Sequence, residues 1–289
     1  MSQQNIHASA SGVFVIGSDM PVSRMGFGAM RITGDGVWGP PKDKDNAIAV
    51  LKANLDLGIN FIDTADSYGP NVSEELIAEA LHPYHHELVI ATKGGFTREG
   101  PNQWTMNGRP EHLEEALKGS LKRLKLERID LYQLHRIDPK VPMDETLGKL
   151  KELQQQGFIR HLGLSEVDED QLEKAARYIR VVSVQNRYSI TYRKSEAVLQ
   201  RCAQNNIAFI PWYPLDAGAM EHPDIQAMAE KYKISIYQLA LTWLLDKSPN
   251  MLPIPGTSSV QHLQDNVAAA QVKLDLEDLQ ILNKINVAP

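Results

Sequence analysis

The chain has 289 residues, 43% of them hydrophobic, enough for a large core and within the length that α/β barrels reach undivided. Its 36 acidic and 30 basic residues leave a formal charge of −6 with no long block of either sign, which excludes the basic stripe that attracts nucleic acid or an anionic membrane. Cys202 is the sole cysteine, which excludes an internal disulfide and a cysteine-based zinc cluster; on an expected helix it reads as a small buried hydrophobe.

Residues 1–12 are polar, with neither a basic start nor an apolar stretch. No signal peptide is expected there, residues 1–11 read as a flexible tail, and the expected setting is the cytoplasm. Residues 14–16 and 20–22 flank Gly17-Ser18-Asp19 and predict a β-hairpin. Eight strand-like runs then alternate with amphipathic stretches: 25–30, 60–64, 88–92, 129–134, 159–164, 181–185, 207–212 and 251–254. Between them Ala47, Ile48, Leu51 and Leu55 recur at helical spacing, as do Leu113, Leu117, Leu121 and Leu124, with Pro110 suited to that second helix's first turn. A third helix runs from Asp144 through Leu147, Leu150 and Leu153 to Gly157, placed to end it. Residues 275–285 predict a last helix outside these units. The longest apolar segment, 207–215, is too short to span a bilayer.

Strands that alternate with helices imply parallel pairing through crossovers, and eight units favour a closed (β/α)₈ TIM barrel, here with an N-terminal hairpin and an extra C-terminal helix, as one domain over residues 1–289. The rival is an open doubly wound sheet, which carries G-x-G-x-x-G after its first strand. Here Gly26 and Gly28 are followed by Arg31 where the third glycine belongs.

In such a barrel the chemistry sits at the C-terminal ends of the strands. The second strand ends in Asp63-Thr64-Ala65-Asp66-Ser67-Tyr68-Gly69, the third in Thr92-Lys93-Gly94, and the fourth in Gln133-Leu134-His135-Arg136. Asp63, Tyr68, Lys93 and His135 therefore come from three adjacent strand ends and are expected to converge. Carbonyl reduction needs a proton donor for the oxygen while hydride reaches the carbon. A tyrosine hydroxyl, with an ordinary pKa of about 10, is a weak acid near neutrality. A neighbouring ammonium lowers that value, and Lys93 is expected to supply it, with Asp63 holding Lys93 charged and His135 orienting the carbonyl. Taken singly, each residue has an ordinary structural explanation as a buried ion pair or hydrogen bond; four together at one end of the barrel point to catalysis.

These segments resemble the aldo-keto reductase family in sequence and order, over nearly the whole chain. The resemblance implies a barrel reductase of aldehydes or ketones with Tyr68 as proton donor, assisted by Asp63, Lys93 and His135. It implies NADP(H), with NAD(H) the lesser alternative, extended across the barrel mouth. It assigns to the cofactor Gly28, Met30, Asp63, Ser165, Gln185, Tyr213 and Leu215, with Trp212 stacked on the nicotinamide. At the adenosine end it assigns Gly256, Thr257, Ser258, His262, Gln264 and Asn266, with Thr257, Ser258 and Ser259 capping a helix. Four positions depart from the family. Glu166 stands where asparagine is usual, Gly256 and His262 stand where NADPH-preferring relatives often carry Lys or Arg, and Asp216 lies near the expected pyrophosphate. Trp38 and Trp104 join Tyr68 and His135 as expected lining of the substrate pocket.

The segments Val37-Trp38-Gly39-Pro40-Pro41 and 255–260 resemble bacterial members linked to pyridoxal reduction, which makes pyridoxal a candidate substrate. A cofactor-sensing binding protein on the same scaffold is one rival. A metal-dependent hydrolase using Asp63, Asp66, His135 and Asp138 is another. The expected partner is a small carbonyl compound, with no nucleic acid, membrane or metal. His82, His85 and His86 fit no zinc spacing and read as a solvated turn.

Overall fold

The computed structural model describes residues 6–214 and 222–285. Residues 8–11 differ from the expected flexible tail. Ala8–Ser11 form a 3-10 turn held by the Ala8 N–H on the Leu57 carbonyl at 2.7 Å, while Ser11 Oγ accepts the Met25 N–H at 3.0 Å. The expected hairpin follows as β1 (Val13–Ile16) and β2 (Met20–Ser23). Its buried side chains Phe14, Ile16, Met20 and Val22 cluster with Phe61, Val89, Val182 and Ala208. Those partners lie at the starts of barrel strands, so the hairpin closes the N-terminal end and helps to fill the interior.

The barrel strands are β3 (Phe27–Gly28), β4 (Phe61–Asp63) and β5 (Val89–Gly94), followed after an antiparallel excursion, β6 (Phe96–Gly100) and β7 (Gln103–Met106), by β8 (Ile129–Leu134), β9 (Ile159–Ser165), β10 (Val181–Arg187) and β11 (Ala208–Trp212). All seven pair in parallel with their neighbours in chain order. The crossovers carry α1 (Lys44–Asp56), α2 (Val72–Leu81), α3 (Pro110–Leu124), α4 (Met143–Gln155), α5 (Glu169–Ala175) and α6 (Glu196–Gln204). After β11 come α7 (Pro223–Tyr232), α8 (Ile236–Lys247), α9 (Val260–Ala268) and α10 (Leu276–Asn283). Local chemistry sets their ends. Asp43 accepts the Asn46 N–H in front of α1, Pro110 opens α3, Gly157 takes φ +87° just past α4, and Ser235 with Gln238 forms a capping box at α8.

Two of the eight expected runs are not full strands. The first keeps only Phe27–Gly28 and winds into a 3-10 turn over Ala29–Ile32. The last is reduced to a single parallel bridge between Phe209 and Met251, because Pro253 and Pro255 have no N–H to donate. The ring nevertheless closes. Leu252 donates to the Phe209 carbonyl at 2.8 Å, and Gly26 donates to the Pro253 carbonyl at 3.0 Å. At this seam the two chains approach so closely that a Cβ on Gly28 would lie 2.6 Å from the Ile254 oxygen, and one on Gly256 2.6 Å from the Gly28 oxygen. Cys202 is buried, and burial pushes its thiol up to about 12. No helix of the described residues is long and apolar enough to cross a membrane.

Candidate active site

Alternate residues of a strand face the same side. Phe61, Ala91 and Leu131 lie in the interior apolar cluster, so Asp63, Lys93, Gln133 and His135, at two-residue steps beyond them, also point inward. The barrel interior thus changes from apolar to polar at the strands' C-terminal ends. Lys93 is fully buried and Asp63, Tyr68 and His135 nearly so. The Lys93 ammonium donates to Asp63 Oδ2 at 2.6 Å, to the Thr64 carbonyl at 2.8 Å and to the Tyr68 hydroxyl at 3.4 Å. The second Asp63 oxygen accepts from the Gln133 amide at 3.0 Å and the Gln185 amide at 2.8 Å.

The segment between Asp63 and Tyr68 is fixed by its own backbone. Thr64 and Asp66 donate to the carbonyls of Ala91 and Lys93, and Tyr68 donates to that of Ala65. Thr64 Oγ1 bonds Ser73, whose hydroxyl reaches the Ala29 carbonyl. Gly69, at φ +104°, turns the chain into α2.

The electrostatics correct one expectation. Burial raises the Tyr68 pKa more strongly than Lys93 lowers it, so the hydroxyl sits above the ordinary tyrosine range and stays protonated at neutral pH. Lys93 behaves oppositely. Burial pulls its pKa down, but Asp63 and then Tyr68 outweigh this and hold the ammonium above the usual lysine range. Burial, reinforced by Lys93, Arg136 and Arg98, drives His135 well below the usual histidine value, so its ring is neutral. Its Nδ1 lies 3.4 Å from Ser67 Oγ; a hydroxyl donating there leaves Nε2 as the ring's N–H.

Aromatic rings surround this group. The His135 ring lies 4.7 Å from Phe96, 5.9 Å from Tyr68 and 6.2 Å from Trp104, centroid to centroid, all near perpendicular. A model of the Aldo/keto reductase family matches residues 24–287. The chain belongs to that family. It is 53% identical to an uncharacterized oxidoreductase of Schizosaccharomyces pombe over 94% of this chain and 89% of the relative. It is 39% identical to pyridoxine 4-dehydrogenase of Escherichia coli over 96% and 99% of the two chains. Among solved structures, an aldo-keto reductase from Klebsiella pneumoniae in complex with NADPH is 26% identical with a TM-score of 0.80, over 96% of this chain and 95% of that one.

Within this member of the aldo/keto reductase family, the other expected residues take varied places. Trp212 is half-buried at the end of β11, and its indole N–H donates to Glu166 Oε1 at 2.5 Å. The same oxygen accepts the Arg187 N–H at 2.6 Å, with Glu166 at φ +54°. The acid that replaces the usual asparagine is therefore committed to protein donors and orients the tryptophan. Ser165 Oγ accepts from Arg136 at 2.9 Å. Tyr213 is exposed beside Trp212, at 6.2 Å between centroids. Met30 lies half-buried in the turn after β3. Of the three hydroxyl residues expected to cap α9, only Ser259 does so, accepting the His262 N–H at 3.4 Å. Thr257 Oγ1 instead accepts the Ser259 N–H, and the Ser258 carbonyl holds Asn46. His262 is exposed, Gln264 half-buried and Asn266 buried. Leu215 and Asp216 lie outside the described residues.

Among the described residues no three of His, Cys, Asp and Glu are grouped as metal ligands, the four of the rival site included; Asp66 lies within electrostatic reach of Glu74 and Arg123, and Asp138 accepts the N–H groups of Gly108 and Lys140. His82, His85 and His86 are exposed, as expected of a solvated turn.

Two arginines and Phe96 escaped the sequence reading. Arg98 donates to the carbonyls of Gly36, Val37, Ser67, Gly100 and Gln103 and lies 3.7 Å over the Trp104 ring and 5.6 Å from Trp38. It ties the first loop and the β6–β7 hairpin over the Tyr68 segment. No short motif signals this, since its acceptors are backbone atoms from three loops. Gln133 had a readable signal, its two-residue step from His135.

Proposed function

We propose that the chain reduces aldehydes and ketones to alcohols with NADPH, using Tyr68 as the proton donor. The observation that carries this reading is the Tyr68 hydroxyl held 3.4 Å from a fully buried Lys93 ammonium that is itself paired with Asp63 at 2.6 Å. Pyridoxal is the substrate we assign, supported by the likeness to the Escherichia coli relative named pyridoxine 4-dehydrogenase.

The donor set at the mouth fits an extended nicotinamide nucleotide. Trp212 offers a flat aromatic face for the ring, and Ser165 and Gln185 offer a hydroxyl and an amide for its carboxamide. At the start of α9 the first-turn N–H groups other than those of Ser259 and His262 are left for a phosphate. NADPH, when bound, supplies hydride to the carbonyl carbon. Tyr68 hydrogen-bonds the carbonyl oxygen and delivers its proton as negative charge develops there. Lys93 lies beside the phenolate left behind and stabilises it, Asp63 keeps Lys93 charged and oriented, and the neutral His135 donates a second hydrogen bond to the oxygen.

Replacing Tyr68 with Phe removes the acid and keeps the ring. NADPH binding, followed by fluorescence quenching, should remain unchanged while pyridoxal turnover falls about 10²–10⁴-fold. Unchanged turnover refutes the assignment; cofactor binding with no turnover in the parent protein across an aldehyde panel supports the binding-protein rival instead.

A further inference from the structure

The mouth of the barrel holds a guanidinium that the reaction outlined above does not use. Arg136 follows His135 directly and is half-buried. One of its nitrogens, Nη1, donates to the His135 carbonyl at 2.7 Å and to Ser165 Oγ at 2.9 Å, which fixes the group in place. Its other nitrogens make no hydrogen bond among the described residues. The guanidinium carbon lies 5.7 Å from the centroid of Phe96 and 5.9 Å from that of Trp212, the two rings that flank the Tyr68–His135 centre. It is also close enough to the Tyr68 hydroxyl for each to shift the other's titration.

Charge bookkeeping singles this residue out. Lys93 is neutralised by Asp63 at 2.6 Å. Arg98 has its donors committed to backbone carbonyls. Glu166 attracts Arg136 electrostatically but lies beyond ion-pair distance and uses Oε1 for Trp212 and Arg187, while Asp138, two residues along the chain, accepts the Gly108 and Lys140 N–H groups. Among the described residues Arg136 has no carboxylate within 4 Å. An arginine keeps its charge inside a protein, so a positive fork with donors that no described residue accepts lies at the mouth beside the rings of Phe96 and Trp212, with Glu166 attracting it from beyond 4 Å. A planar fork of this kind matches a carboxylate, or another anionic oxygen, in a way a water molecule does not.

We propose that Arg136 is a specificity-determining residue that selects carbonyl substrates carrying an anionic oxygen group, with the carbonyl at Tyr68 and His135 and the anion on the free side of the guanidinium. This rests on the reductase reading and narrows its substrate class. Neutral aldehydes of the same shape are expected to be poorer substrates because they offer no anionic acceptor to the remaining guanidinium donors.

The test compares 3- and 4-carboxybenzaldehyde with their methyl esters, which match them in shape and lack the charge. For the parent protein kcat/KM should favour the better acid over its ester by about tenfold or more, the usual effect of one charge-assisted hydrogen bond in a shielded site. In Arg136→Gln the acid-to-ester ratio of kcat/KM should fall to about one, because losing the Ser165 contact and the pull on Tyr68 affects both substrates alike while only the acid loses the charge-assisted bond. Arg136→Lys, which keeps the charge without the fork, should retain part of the preference. Calorimetry with benzoate and benzamide on the NADP-loaded parent and variants reads the same contrast without turnover. Equal reduction of acid and ester by the parent, or an equal loss of both in Arg136→Gln, overturns the inference and leaves the reductase reading standing. A parent that binds benzoate through Arg136 yet reduces no aldehyde overturns the reductase reading alone.

Discussion

Asp63→Asn probes the buried ion pair with almost no change of shape. In the native protein one Asp63 oxygen accepts from Lys93 at 2.6 Å and the other from Gln133 and Gln185 at 3.0 and 2.8 Å. Whichever way an asparagine amide turns, its NH₂ meets either the ammonium or two other amide donors. Removing one partner of a buried pair costs about 3–5 kcal/mol, because the remaining charge stays out of water. At this chain length, a Tm change of roughly 2 °C per kcal/mol gives a fall of about 6–10 °C.

The pH dependence fixes the cause. In the parent, Lys93 titrates above its unfolded value, so its contribution is fully present below the ordinary lysine range and is lost only as pH rises through the higher folded value. In the variant burial acts on Lys93 with Asp63 gone, so the folded pKa drops below the unfolded one and stability rises with pH as the lysine releases its proton. Thermal melts from pH 7 to 10 should therefore show the variant's deficit narrowing, alongside a loss of carbonyl turnover. A deficit that is absent, or that stays constant over this range, refutes the claim that a charged lysine is held by Asp63.

Asp66 is buried with Oδ1 unpartnered, and burial reinforced by Glu74 lifts its pKa to about 8. Its folded value exceeds its unfolded one, so the parent loses stability as pH rises from the ordinary carboxylate range through about 8, by up to roughly 1.4 kcal/mol per pH unit. Asp66→Asn should melt progressively higher than the parent as pH goes from 5 to 8, and a difference that does not grow with pH contradicts the protonated state. Gly256→Ala should lower stability by about 1–3 kcal/mol because its methyl meets the Gly28 oxygen at 2.6 Å. Gly148→Ala in α4, where a Cβ meets nothing within 4 Å, should raise stability by about 0.5–1 kcal/mol. Chemical denaturation of both glycine variants checks the contrast, and equal effects would deny the close approach at the barrel seam.

Local pattern determined much of this protein. Alternating strand and helix periods announced the barrel, and the strand-end rule picked out Asp63, Tyr68, Lys93 and His135, because a two-residue step fixes which side chains face inward whatever the rest of the chain does. The hairpin of β1 and β2 and the helix ends at Asp43, Pro110 and Gly157 were legible for the same reason, since turns and caps are made by neighbours in sequence. The eighth strand was overestimated because an apolar run does not reveal how many bridges survive two prolines.

What only the folded molecule decided depends on atoms distant in sequence and on the exclusion of water. Arg98 earns its place by reaching carbonyls of three loops, and Glu166 by meeting a tryptophan 46 residues away. The protonation of Tyr68 is of the same kind. The sequence names the ammonium that lowers its pKa, but how far burial overrides that ammonium is set by solvent displaced from all sides of the ring, which no neighbouring residue encodes.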